Sequence, residues 1–132
     1  MRDYQPMTNN PWLLPRSLYL RTLYTIRDYP RMKAEYDAVV SALPSRPAVR
    51  RGKGYHADPT ADRAARAEHL LRETRAVESA LRIVPEEYRK GLMDSITQFK
   101  RYPRDADPRT YRTWKQRFIF AVAENLGLTC FW

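Results

Sequence analysis

Basic side chains far outnumber acidic ones between Gln98 and Arg117, and they are the residues of this chain best suited to chemistry. This segment holds seven basic and two acidic residues, a net charge of +5 out of +9 for the whole chain. Arginine can bond guanine through two hydrogen bonds and glutamine can do the same with adenine, whereas threonine and lysine suit phosphates. The residue types therefore predict contact with a nucleic acid.

The spacing of these residues assigns them to one face of a helix. Four polar residues follow the i, i+3, i+4, i+7 pattern, opposite an apolar stripe that begins at Tyr111. They cluster in the first half of the helix, the part of a recognition helix that enters the major groove. The predicted DNA-binding residues are Lys100, Arg101, Arg104, Arg109, Thr110, Arg112, Thr113, Lys115 and Gln116, with Arg50, Arg51 and Lys53 on a separate loop.

The same pattern has a simpler interpretation. Any surface helix carries polar residues opposite its core face, and arginine favours helices. The loop arginines are equally compatible with a solvated segment that binds nothing.

Composition limits the choice of fold and partner. The chain has 132 residues, 43% apolar residues and only 4 glycines, so it is long enough to bury a core. The apolar residues recur at helical spacing, which predicts an all-α fold. A pI near 10.0 favours a polyanionic partner, either a nucleic acid or an acidic protein surface.

The sequence contains no pattern typical of an enzyme or of a metal protein. Cys130 is the only cysteine and there are two histidines, so we expect no disulfide, no metal site and no cofactor. Glycine-rich phosphate loops and zinc-protease motifs are absent, and we expect no catalytic activity. Pro15, Arg16 and Arg21 interrupt the apolar run near the start, which predicts a cytoplasmic protein without a membrane partner.

The first part of the chain predicts an arm and a helical hairpin. Residues 1–15 are rich in proline and predict an extended N-terminal arm anchored by Trp12, Leu13 and Leu14. Residues 16–132 form a single helical domain. Its first helix is either kinked at Pro30 or divided there. A basic loop, 44–59, precedes a long helix over residues 60–84, which we expect to pair with the first helix in antiparallel fashion.

The second part, 85–132, predicts a helix-turn-helix-like region. A helix begins after Pro85, with Tyr88, Leu92, Ile96 and Phe99 marking its buried face. Asp107 and Pro108 begin the last helix, and Gly127 ends it. The predicted fold is an all-α bundle of four to five helices.

Three segments resemble a known family. They are "LYTIRDYPRMKAEYDAVVSAL", the long 60–84 helix, and "PEEYRKGL" with "TYRTWKQRFIFAVAENLGL". Over roughly residues 18–128, the arrangement is similar to the RinA/ArpU-type phage transcriptional activators, whose C-terminal part looks like the helix-turn-helix of sigma-factor region 4. The resemblance implies a DNA-binding transcriptional regulator of phage or prophage origin. One departure is the segment "KRYPRDAD", which is too short for the positioning helix that such a motif requires.

The resemblance implies double-stranded DNA as the partner, with RNA polymerase or another host protein as a further one. Homo-oligomerisation is left open. The alternative is a phage-encoded protein-binding module. Such a module would inhibit a host nucleic-acid enzyme, as anti-CRISPR proteins do, or act in packaging like a small terminase subunit.

Overall fold

The computed structural model describes residues 5–43 and 59–129, which form four α-helices and no strand. The helices are α1 (Arg16–Ala42), α2 (Pro59–Leu81), α3 (Glu86–Gln98) and α4 (Pro108–Asn125). The predicted all-α bundle is confirmed. The loop residues predicted to bind DNA, Arg50, Arg51 and Lys53, lie outside the described residues.

Helix α1 runs through Pro30 as a single helix, the first of the two alternatives. Proline lacks the N–H that would bond the carbonyl of Ile26, and this loss disfavours a continuous helix. Packing on both sides of the proline offsets that cost, because Ile26 and Met32 are both buried. Asp28 does not cap a second helix but pairs with Arg31 at 2.6 Å.

Helices α1 and α2 form the predicted antiparallel hairpin. The Tyr29 hydroxyl donates to Glu78 at 3.0 Å, and Glu35, further along α1, pairs with Arg66 at 2.9 Å. As residue numbers rise along α1, those of the partners on α2 fall, so the two helices are antiparallel.

The hydrophobic core lies at the end of this hairpin where α3 and α4 pack. Helix α1 contacts all three other helices there. The fully buried core side chains include Leu23 and Ile26 of α1, Val77 of α2, Leu92 and Ile96 of α3, and Phe118 and Val122 of α4. Further along the hairpin, Val40 remains 41% exposed although it belongs to the predicted apolar stripe of α1.

The N-terminal segment folds back on itself instead of extending. The Gln5 side-chain oxygen accepts from the Leu14 N–H at 3.0 Å, and the Gln5 amide donates to the Leu14 carbonyl. Leu14 is buried, as expected of an anchor, whereas Trp12 and Leu13 are half-buried. We call residues 5–15 the N-terminal loop.

Helix ends follow local chemistry, with one correction. Asp107 accepts from the Arg109 N–H at 2.9 Å and caps α4, and Gly127 ends that helix with φ 75°. Both features were predicted.

Phe99 is not buried, contrary to the prediction. Helix α3 ends at Gln98, and Phe99 follows in the left-handed conformation with φ 58° and 57% exposure. The apolar spacing could not show that the helix stops one residue earlier.

Candidate nucleic-acid interface

The connection between α3 and α4, residues 99–107, is fixed to both helices. The Tyr102 ring stacks on Tyr111 with centroids 4.9 Å apart and an interplanar angle of 11°. The Tyr111 hydroxyl donates to Asp105 at 2.8 Å. Pro103 packs so closely on Gly91 that a Cβ there would lie 2.7 Å from the proline Cδ. The sequence pattern predicted only a non-helical segment here and none of these contacts.

This connection differs from the turn of a helix-turn-helix. It has nine residues, 99–107, whereas such turns have about three to four. A helix does precede α4, since α3 packs on it through Tyr88 and Tyr111, whose rings meet edge to face at 5.3 Å. The connection is thus a nine-residue loop that is packed against both α3 and α4.

The basic residues of the connection point outward. Tyr102 and Asp105 are engaged with Tyr111, and the side chains between and before them are exposed. The exposed cations of the connection and of the start of α4 are Lys100, Arg101, Arg104, Arg109 and Arg112. We call these five residues the α3–α4 basic surface.

None of these five cations forms an ion pair within residues 5–43 and 59–129. The hairpin differs, because Arg31 and Arg66 there are paired with Asp28 and Glu35. The two acids of the connection, Asp105 and Asp107, accept hydrogen bonds from the Tyr111 hydroxyl and from the Arg109 N–H. The pKa of Asp94 on α3 is lowered mainly by its hydrogen bond with Lys90 and, to a smaller extent, by the charge of Lys100. Both carboxylates of the connection keep their negative charge, so the five cations exceed these two acids by three positive charges, and the N-terminal end of the α4 dipole adds positive potential.

Electrostatics connect the loop and helix parts of this surface. Burial raises the pKa of the Tyr102 phenol, whereas a hydrogen bond with Ser95 and the positive charge of Arg112 act in the opposite direction. Arg112 of α4 is thus close to the connection that carries Lys100, Arg101 and Arg104.

Two predicted DNA-binding residues are not on this surface. Lys115 is 6% exposed and Gln116 is 7% exposed, so neither side chain lies on the exposed face of α4. Of the others on α4, Thr113 is exposed and Thr110 is half-buried.

The N-terminal loop explains the burial of Gln116. Its residues Pro6, Asn9, Asn10 and Trp12 line a groove of about 110 Å³ together with Arg112, Thr113 and Gln116 of α4. The loop thus lies along the face that the helical pattern assigned to DNA.

Arg117 is a further cation that the site prediction omitted. Its guanidinium lies 5.3 Å from the ring centroid of Trp114 and 6.0 Å from that of Trp12. Cations at such distances are attracted by the aromatic face. Arg117 therefore helps to hold the N-terminal loop on α4.

The buried tyrosine predicts a sensitivity to alkaline pH. Burial, with a smaller effect of the Asp105 hydrogen bond, raises the pKa of Tyr111 to about 12. The pKa of tyrosine in the unfolded chain is about 10. The stability that the protonated Tyr111 hydroxyl contributes to the fold is therefore fully present below pH 10 and is lost as the pH rises toward 12. We expect the free energy of unfolding of Tyr111→Phe to fall less steeply than that of the wild type over this interval. Urea denaturation followed by circular dichroism at several pH values measures it. Parallel slopes for the two proteins would contradict the expectation.

Comparison of the chain with protein-family models, with curated proteins and with solved structures found no match. None of the four described helices is long and apolar enough to cross a membrane. Within the same residues, no three His, Cys, Asp or Glu side chains are grouped to hold a metal ion.

Proposed function

We propose that this protein binds double-stranded DNA through the α3–α4 basic surface. The observation that carries the proposal is the set of five exposed cations without ion pairs among the described residues, three on the pinned connection and two at the start of α4. Lysine and arginine neutralise phosphates, and the backbone that carries them is ordered before the ligand arrives, so less backbone entropy is lost on binding.

The contacts divide into phosphate binding and base reading. Lys100, Arg101 and Arg104 lie on the connection and would contact the phosphate backbone. Arg109, Arg112 and Thr113 lie exposed in the first two turns of α4, where they would reach base edges in the major groove. Since Gln116 lies under the N-terminal loop, sequence preference in this proposal depends mainly on the two arginines.

The regulatory role rests on the resemblance to RinA/ArpU-type activators. We propose that the protein is a transcriptional regulator of phage or prophage origin, acting from a bound operator.

A salt series on the wild-type protein tests the proposed function. Fluorescence anisotropy of a labelled duplex is measured from low to moderate potassium chloride. We expect a linear fall of log K with log salt, with a slope of about −2.7 from the three proposed phosphate contacts, Lys100, Arg101 and Arg104. A slope near zero, or no binding at the lowest salt, would contradict DNA binding.

A further inference from the structure

Phe99 is exposed in a conformation that does not favour phenylalanine. Its φ of 58° belongs to the left-handed region, where glycine is the least strained residue. The N–H groups of Phe99 and Lys100 both bond the Asp94 carbonyl, the latter at 3.4 Å, and so satisfy the end of α3. Stability alone therefore favours glycine at this position, and the exposed ring requires another explanation.

Phe99 belongs to a cluster of exposed aromatic rings around one guanidinium. Arg27 of α1 lies 4.8 Å from the Phe99 ring centroid and 5.6 Å from that of Tyr24. The Arg27 Nε also donates to the Ile96 carbonyl at 3.3 Å, which attaches the guanidinium to the end of α3. Tyr24 is 54% exposed. The two rings are thus accessible and held in place.

This aromatic cluster is continuous with the α3–α4 basic surface. Lys100 and Arg101 follow Phe99 directly in the chain, and Tyr102 is already stacked on α4. Three residues span at most about 10 Å, so the Phe99 backbone lies within that distance of Tyr102. The exposed Phe99 ring is therefore carried by the same short segment as two of the proposed phosphate contacts.

We infer that the Tyr24–Arg27–Phe99 cluster stacks unpaired bases of a DNA that is locally single-stranded. Every base has a π-face, and aromatic rings beside cations that track the phosphates are the usual elements of single-strand binding. Paired bases in a duplex do not present those faces, so the cluster distinguishes a melted segment from an intact one. This inference rests on the proposed function, because it uses Lys100 and Arg101 as phosphate contacts.

The test compares three labelled DNA probes by anisotropy at one salt concentration. They are a duplex of about 20 base pairs, the same duplex with a central bubble of about four mismatches, and a single strand of thymidines of similar length. We expect the wild type to bind the bubble about 10-fold more tightly than the duplex, since one stacked base contributes roughly 5- to 150-fold.

Two variants attribute the preference to the cluster. Phe99→Asn removes the ring but tolerates the left-handed conformation, and we expect it to bind the bubble no better than the duplex, with duplex affinity unchanged. Val40→Asn is the matched control: it removes an exposed apolar side chain on α1, roughly 20 Å along the helix from Arg27, and should keep the preference.

The outcomes separate this inference from the proposed function. Equal wild-type affinities for bubble and duplex, or a preference that Phe99→Asn retains, would overturn the inference while leaving duplex binding intact. Loss of duplex and bubble binding together in Phe99→Asn would also overturn it. No binding to any of the three probes would instead overturn the proposed function.

Discussion

Replacing Arg109 and Arg112 together with alanine is expected to weaken duplex binding roughly 10- to 100-fold at about 0.1 M salt. Only phosphate contacts release counterions, and these two arginines read bases in the proposed function. The slope of log K against log salt should therefore change by less than about 1, whereas the preference for the bound sequence should weaken. Both side chains are exposed and neither packs in the core, so the fold should be retained. Anisotropy titrations on the wild type and the double variant measure both quantities.

A charge-matched control distinguishes a site from general positive charge. Arg72 and Arg75 are exposed on α2 and line a groove with Asn125 at the far end of α4, roughly 20 Å from Arg112 along the helix. Alanine at both positions removes the same charge, and we expect less than about a threefold loss in affinity. Equal losses in the two double variants would show that binding follows net charge and has no defined site on α4.

Gly91→Ala is expected to destabilise the fold by about 1 to 3 kcal/mol, although alanine is the better helix former by about 1 kcal/mol. The added Cβ would lie 2.7 Å from both Cδ and Cγ of Pro103 and 3.1 Å from Cε1 of Tyr111. Neither ring can give way freely, because Tyr111 is fully buried and Pro103 belongs to the pinned connection. Urea denaturation measures the change in the free energy of unfolding.

A double-mutant cycle with Pro103→Ala identifies the cause. Truncating the proline removes the atoms nearest the new methyl group, so Gly91→Ala should cost at least about 1 kcal/mol less in that background. If Gly91→Ala costs the same with and without Pro103, the close contact between α3 and the connection is not what requires glycine.

Local signals in the sequence predicted the helices well. The N-cap at Asp107, the glycine at 127 and the 3.6-residue apolar stripe of α4 depend on residues close together in the chain, and all three were confirmed. Pro30 left two alternatives open, because the packing that carries α1 through it comes from distant segments.

The details of the candidate site depend on long-range contacts that periodicity does not contain. Gln116 lies under residues more than a hundred positions earlier in the chain, so a helical wheel places it on the exposed face. The pinned connection was not predicted for the same reason. The segment "KRYPRDAD" contains no regular element, and it is held in place by contacts with Tyr111 and Gly91 on the neighbouring helices. Exposure of its basic residues was predicted, whereas the scaffold that holds them was not.

The most direct test of the α3–α4 basic surface is a titration of ¹⁵N-labelled protein with duplex DNA, followed by amide and arginine side-chain resonances. The account predicts that the largest shifts fall on residues 100–113, and that α2 resonances around Arg72 and Arg75 stay in place. Shifts concentrated on α2 or on the hairpin, with 100–113 unchanged, would contradict it.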